Sequence, residues 1–399
     1  IDLAALPYSG GSVSFDNGTD VLTVYEGASS STLQLSGDYS QDHFVWSNNG
    51  DGGTDIGLAS GIIVSSAQTS SGLTVSSGNS MIVLSGGTAI STTLSPDSYI
   101  AISGGTAIST NVSSGATETV LSGGTALSGM VLSGGTEVVS SGTAMDDQVQ
   151  AHGTQTVLSG GVTVSTTLSG YPATEDVSSG GIASDTVGSG GGLLTVYSGG
   201  TAVGANGAFG GIIVQGGTLE NASVYAFVSV VGGTAVSNTV TSGSDFSVQS
   251  GGVASDTVLE DAYGYANLNG TMTGTTLSGS AVLAVSQGGS VVSSFISSGA
   301  SLTLGVSGTA SFDMVNSGGT VLVSSGGVDS SATILNGGFE YVSSGGVADD
   351  ATVSSGGTLS ASGGHVTGTT VDNGGLLVLS GYAYAVTPPS TTLWRAARP

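Results

Sequence analysis

The chain contains no cysteine and no lysine, and its only arginines are Arg395 and Arg398. Without cysteine there are no disulfides and no thiolate metal sites, so stability must come from packing and backbone pairing. Without positive charge over the first 394 residues the chain cannot neutralise phosphates, which excludes nucleic-acid binding. Anionic lipid headgroups would repel it. The formal net charge is −25, yet charged residues are only 7% of the chain. No run approaches about 18 apolar residues, so membrane insertion as a helix is not expected. The chain begins at Ile1 with no basic and apolar leader, and reads as a mature or excised piece of something larger.

What is present is glycine, 71 residues of it, set in a background of Ser, Thr and Asn. That mixture often signals disorder. Here 38% of the residues are hydrophobic, enough for a core. An ordinary globular chain of this length would form two or three domains. The internal repeat replaces that count with one elongated body.

The repeat is close to S-G-G-[TVI]-A-x-x-T-x-[VL], with the x before the last residue sometimes dropped. Copies begin at Ser85, Ser103, Ser122, Ser159, Ser179, Ser198, Ser250, Ser325 and Ser344, with weaker ones between. The step is mostly 18 to 20 residues, and about 17 units fit between residues 60 and 380. A second S-G-G or S-S-G falls about half-way, as at Ser133-Gly134-Gly135 and Ser317-Gly318-Gly319. Between the glycine pairs lie short β-branched stretches such as Thr320-Val321-Leu322-Val323, which read as strands joined at glycine corners. A glycine pair every ten residues or so excludes helix, at about 1 kcal/mol per glycine.

Strands this short must stack. The predicted fold class is all-β: a parallel β-helix (β-solenoid) of about 17 coils, on the order of 80 Å long at the usual strand spacing. The expected interior column is Leu94, Val112, Val187, Val240, Val258, Val353 and Val371, with Ala beside it and Ser and Thr columns facing water. Residues 59–380 form this solenoid. Residues 1–58 alternate in longer runs and read as a small antiparallel cap holding Phe15, Tyr25, Tyr39, Phe44 and Trp46. Residues 381–399 read as a tail or linker.

The repeat closely resembles the AIDA-type repeat of self-associating autotransporter adhesins. The best copies are Ser85–Leu94, Ser103–Val112, Ser179–Val187, Ser250–Val258 and Ser344–Val353. The resemblance implies an exported passenger β-helix acting in cell–cell aggregation, biofilm formation or host attachment, and in some members sugars on Ser/Thr. Residues 1–56 also resemble a module found beside such repeats in large exported bacterial proteins, some of which carry a self-processing Hint domain. The chain departs from these patterns in having no translocator barrel and no Hint-like cysteine, so it does not indicate an export route.

Catalytic chemistry finds little support. His43, His152 and His365 lie in widely separated units, too far apart to share a metal, and no motif supports a triad around any one of them. Lyases sharing the β-helix architecture resemble one another in using Arg or Lys as base, and the solenoid has neither. A glycosidase needs two carboxylates across a cleft. Asp146, Asp185, Asp256 and Asp350 occupy nearly one place in the unit but are two or more coils apart, and read as solvated turn acids. Sequence neighbours such as Asp146-Asp147, Glu260-Asp261 and Asp349-Asp350 would point to opposite faces of a strand. Gly50-Asp51-Gly52-Gly53-Thr54-Asp55 half-matches a glycine-rich Ca²⁺ nonapeptide. Weak Ca²⁺ binding by Asp51 and Asp55 is therefore the one metal expectation, and no other cofactor is expected. The glycine pairs lack the lysine and helix of a phosphate loop.

The expected function is a non-enzymatic extracellular adhesin or matrix protein at a bacterial surface. Its partners would be other copies of itself, other cell surfaces or glycans, bound multivalently along polar ladders. The alternatives are a filament joined end to end and, more remotely, ice binding by Thr arrays.

Overall fold

The computed structural model describes residues 1–8, 12–16, 18–27, 29–36, 43–48, 52–59, 61–241, 243–381, 384–385 and 394–396. They fall into two compact units, residues 1–166 and 167–399. Every regular element among the described residues is a β-strand. The parallel solenoid expected from the repeat is present in both units, about 17 turns in all, with small antiparallel sheets at the N-terminus.

The first unit opens with two antiparallel sheets. Ser12–Asp16, Val21–Glu26 and Ser29–Gln34 form one, and Asp2–Pro7, Gly53–Ala59 and His43–Asn48 the other. The turn after Asp16 closes when its Oδ1 accepts the Gly18 N–H at 2.8 Å. Leu22 and Val24 alternate inward and meet Leu6, Phe44 and Ile56. Phe15 packs on Phe44 with ring centroids 5.0 Å apart. Tyr25 instead points outward, because its parity is opposite to that of Leu22 and Val24. Tyr39 lies outside the described residues.

The coil starting at Tyr99 shows how the repeat folds. Tyr99–Ser103 is the long strand, Thr106–Ile108 the alanine-centred strand and Asn111–Val112 the short strand. Each pairs in parallel with its counterpart one coil away, so identical positions stack: Thr88, Thr106, Thr125 and Thr143 make one ladder, and Leu94, Val112, Val131 and Val149 another. The solenoid thus has three faces, a long, an alanine and a short one.

The two glycines of S-G-G serve different ends. Gly104 takes φ +75°, which turns the chain from the long strand to the alanine strand. Gly105 has no room for a side chain, since a Cβ there would lie 2.6 Å from Val83 Cγ1 in the coil before. The next corner turns on a non-glycine residue in the left-handed region, Ser109 at φ 55°, whose N–H reaches Leu127 O one coil on at 2.8 Å. Short polar side chains tolerate that conformation best, which is why Ser, Asp and Asn fill most of this column.

The second unit repeats the three faces from Thr167–Ser169 to Leu376–Ser380 around Leu194, Ile212, Phe246, Leu259 and Met272. Tyr384–Ala385 and Trp394–Ala396 extend the alanine and long ladders, so the stretch read as a tail contains two short strands.

Two sequence expectations need correction. Leu94, Val112, Val240, Val353 and Val371 are interior as expected, but Val187 is 40% exposed and Val258 is partly exposed. In those coils the inward position is one residue later, at Gly188 and Leu259. The corner fixes the register, and a one-residue slip exchanges faces in a strand. The Phe209 ring fills the place of the missing side chain at Gly188, where a Cβ would lie 2.6 Å from Phe209 Cδ1. The second correction concerns threonine. The Thr after the alanine strand points inward and is buried at Thr92, Thr110, Thr166, Thr186, Thr257 and Thr275. The first Thr of the unit, as at Thr88 and Thr106, stays partly exposed.

Candidate functional site: an outward face and an acidic interior

In the first unit the alanine strands read Thr-Ala-Ile, Thr-Ala-Ile, Thr-Ala-Leu, Thr-Ala-Met and Val-Thr-Val on five successive coils. The middle residue points in and is buried at every coil. The outer residues form two partly exposed ladders: Thr88, Thr106, Thr125, Thr143 and Val162, and beside them Ile90, Ile108, Leu127, Met145 and Val164. Neither ladder contains a charge, although the chain carries a net −25. In the second unit the equivalent aliphatic ladder is broken, for example by Ser184, Glu220, Ser255 and Asp349. A flat strip of this composition can make van der Waals and hydroxyl contacts, but has no group to activate a substrate.

The interior contains what the sequence reading missed. Glu118 and Glu137 stack in the inward column of the long face, with Gln155 next. All three are fully buried, as are Asp147 and Thr166 at the adjoining corner. Gln155 Nε2 donates to Glu137 Oε2 at 2.8 Å, and Thr166 Oγ1 donates to Gln155 Oε1 at 3.0 Å. Asp147 Oδ1 accepts the Gly129 N–H at 2.5 Å. Glu137 Oε1 and Asp147 Oδ2 are buried with no donor, and the two carboxyls interact closely enough that a bond between them would require a proton. Burial, then the Asp147 charge, raises the Glu118 pKa to about 8 and holds Glu137 well above the carboxylate range. Burial raises Asp147 to about 6, opposed by the Gly129 N–H.

A second cluster lies inside the second unit. Glu340 enters from the long face, Asp329 from the alanine face and Asp313 from the corner, all buried. Asp313 Oδ1 accepts the Ser294 N–H at 2.7 Å and its hydroxyl at 2.6 Å. Neither the oxygens of Glu340 nor those of Asp329 have a hydrogen-bond partner. Burial raises Asp313 to about 6. Burial, then the Asp313 charge, raises Asp329 to about 8, and burial, then Asp329, holds Glu340 well above the usual range. Glu175, in the same unit, accepts the Thr186 hydroxyl at 2.7 Å.

These acids were legible in one respect: Thr-Glu-Thr-Val, Thr-Glu-Val-Val and Phe-Glu-Tyr-Val place Glu where other coils have Ile100 or Leu194. Parity alone sends that side chain inward.

The residues singled out from sequence behave as follows. Asp146, Asp185, Asp256 and Asp350 are exposed corner residues with φ between 52° and 58°, as solvated turn acids should be. Asp146 and Asp147 do point to opposite sides, but Glu260 and Asp261 are both exposed, because Asp261 sits in a corner at φ 52°. His152 is an exposed corner residue, and His365 is partly exposed on the alanine face. Asp51 lies outside the described residues. Asp55 is on the central strand of its sheet, opposite Asp2 in register. Among the described residues no group of three or more His, Asp or Glu is arranged to hold a metal ion.

No protein-family model and no curated protein matches the chain. Among solved structures, a TibA fragment in its TibC-catalysed, hyper-glycosylated form is 29% identical, with a TM-score of 0.55. The match covers 80% of this chain and 99% of that one. The chain is similar to TibA. The Streptococcus pneumoniae surface protein and adhesin PfbA matches at 8% identity over 65% of this chain and 91% of that one. Its TM-score of 0.21 carries no argument.

Proposed function

We propose that this protein is a non-enzymatic, extracellular bacterial adhesin or biofilm-matrix protein that acts by multivalent self-association along its solenoid. The observation that supports this best is the uncharged strip of Thr88, Thr106, Thr125 and Thr143 beside Ile90, Ile108, Leu127 and Met145. Two copies of a strongly acidic chain approach most easily where neither carries charge. Five strands at about 4.8 Å make a strip roughly 20 Å long and about 10 Å wide, on the order of 200 Å², far less than the about 800 Å² per partner of a stable interface. One such contact is weak, and avidity comes from arrays of copies on opposing surfaces.

The resemblance to AIDA-type repeats and the similarity to a glycosylated TibA fragment support the same reading. They also make the outward Ser and Thr ladders candidate sugar acceptors. Other cell surfaces and glycans remain partners within this proposal, as does weak Ca²⁺ binding by Asp51 and Asp55, which calorimetry in millimolar Ca²⁺ tests.

The missing cysteine provides the decisive experiment. Single variants Leu127→Cys on the strip and Thr333→Cys on the short face of the second unit are oxidised across a concentration series, beside negative-stain microscopy of the unmodified protein. Covalent dimers from Leu127→Cys alone, with laterally paired particles, support the reading. Single particles at every concentration overturn self-association, and end-to-end filaments transfer the function to a structural fibre.

A further inference from the structure

Each unit buries three carboxyl groups against one another, with no cationic side chain to balance them. The chain has no lysine, and its arginines are at positions 395 and 398. In the first unit Glu118 and Glu137 come from the long face and Asp147 from the corner. The polar groups around them are Gln155, Thr110, Thr166 and the Gly129 N–H. The nearest further charge is Asp146, on the outside of the same corner, and His152 is exposed to water. In the second unit Glu340 stacks between Val321 and Leu359, and Asp329 between Ala310 and Ala348, while Asp313 faces both. Among the described residues no basic group enters either cluster from any of the three faces.

Such an interior closes only when protons replace the missing cations. An isolated buried carboxylate is too costly to keep, and a group in that position neutralises instead. Glu340, fully buried with both oxygens unpartnered, has no other means of satisfying the ionised form. Glu137 and Asp147 can bond only through a proton held between them. Each cluster therefore has room for about one negative charge, on the Asp that accepts a backbone N–H (Asp147 from Gly129, Asp313 from Ser294, whose hydroxyl it also accepts), and its neighbours stay neutral.

We propose that these two clusters are proton-dependent latches of the solenoid: with their protons in place the interior is closed, and losing them loosens the coils that carry them. The direction follows from linkage. Groups that hold their protons more tightly folded than unfolded leave stability intact below the unfolded carboxylate range, and stability falls as pH rises through the folded values. Each pH unit in that window costs up to about tenfold in the folding equilibrium per group. The solenoid is thus tightest in mild acid and opens first around residues 118–166 and 313–351 as the medium turns alkaline.

The test is hydrogen exchange by mass spectrometry on the full chain at about pH 5 and about pH 9, corrected for intrinsic exchange, with melting curves in low and high salt. The expected result is loss of protection concentrated in those two segments, with salt failing to restore it. A uniform loss that salt reverses would assign the effect to surface repulsion and overturn the proposal. The variants Asp329→Asn with Glu340→Gln, and Glu118→Gln alone, mimic the protonated groups. They are expected to flatten the pH dependence of their own segment only. An unchanged slope in a folded variant, or a wild-type protein equally protected at both pH values, also overturns it.

Discussion

Gln155 stands directly above Glu137 in the long-face ladder and donates its Nε2 to Glu137 Oε2 at 2.8 Å, while accepting the Thr166 hydroxyl on its own oxygen. The amide is the one group in this column that can donate downward and accept sideways at once. Gln155→Glu removes the donor and places a third acid beside Glu118 and Glu137. We expect a loss of about 1–3 kcal/mol near neutral pH, shrinking in mild acid where a carboxyl can carry the missing proton. Denaturant melts of the two proteins at both pH values check this. Gln155→Leu, which leaves Thr166 and Glu137 unpartnered, should instead cost a similar amount at both.

The corner glycines separate conformational from steric demand. At Gly104 an added methyl would be 3.2 Å from Ser85 Cβ, and the main obstacle is φ +75°. Gly104→Ala should cost about 1 kcal/mol, the ordinary left-handed penalty. At Gly105 the methyl would collide with Val83 Cγ1 at 2.6 Å, so Gly105→Ala must push two coils apart and should cost about 1–3 kcal/mol or more. Comparable losses at the two sites, measured by chemical denaturation, would refute the division of labour.

The register of the short face is testable at adjacent residues. Leu259 is fully buried and Val258 partly exposed. Leu259→Ala should cost about 2–5 kcal/mol, and Val258→Ala within about 0.5 kcal/mol. The reverse order would restore the column inferred from sequence.

That pair also shows where sequence reading succeeds and fails. Stacking, the short strands and the glycine corners were legible because S-G-G recurs and glycine has a geometric meaning, whereas the third face was not, because its corner is a non-glycine residue such as Ser109. The inward column was legible wherever the spacing from the alanine was read correctly, as at Leu94 and Val240. It was misplaced at Val187 and Val258, because an apolar residue one place early looks like the repeat's last position and composition cannot count across a corner. The buried acids were overlooked for a related reason. A Glu in a Thr-Glu-Thr-Val strand does not stand out in a search for turn acids and sequence-adjacent pairs, although its parity puts it inside. The candidate face was half legible: its Thr ladder lies in the repeat, but the unbroken aliphatic ladder beside it emerges only when strands from five coils are laid side by side.

Asp261 gives the opposite pH response to the interior acids. It is fully exposed, and its Oδ1 accepts the Ser280 N–H at 2.7 Å and the Ser280 hydroxyl at 2.9 Å, so these bonds hold its carboxyl below the usual value. A group whose folded pKa is depressed supports the fold above its unfolded pKa and ceases to do so as pH falls through the folded one. Asp261→Asn keeps an acceptor oxygen but loses the charge. Its melting temperature should lie slightly below wild type at neutral pH and converge with it in strong acid. Asp313→Asn should behave differently: it removes the buried charge while keeping an acceptor for Ser294, so its advantage over wild type should grow as pH rises from the unfolded carboxylate range to about 6 and level off above that. Melts of both variants from acid to alkaline pH therefore decide whether burial or donor bonds govern each carboxyl. Parallel curves would mean that the two aspartates experience the same environment, contrary to the geometry.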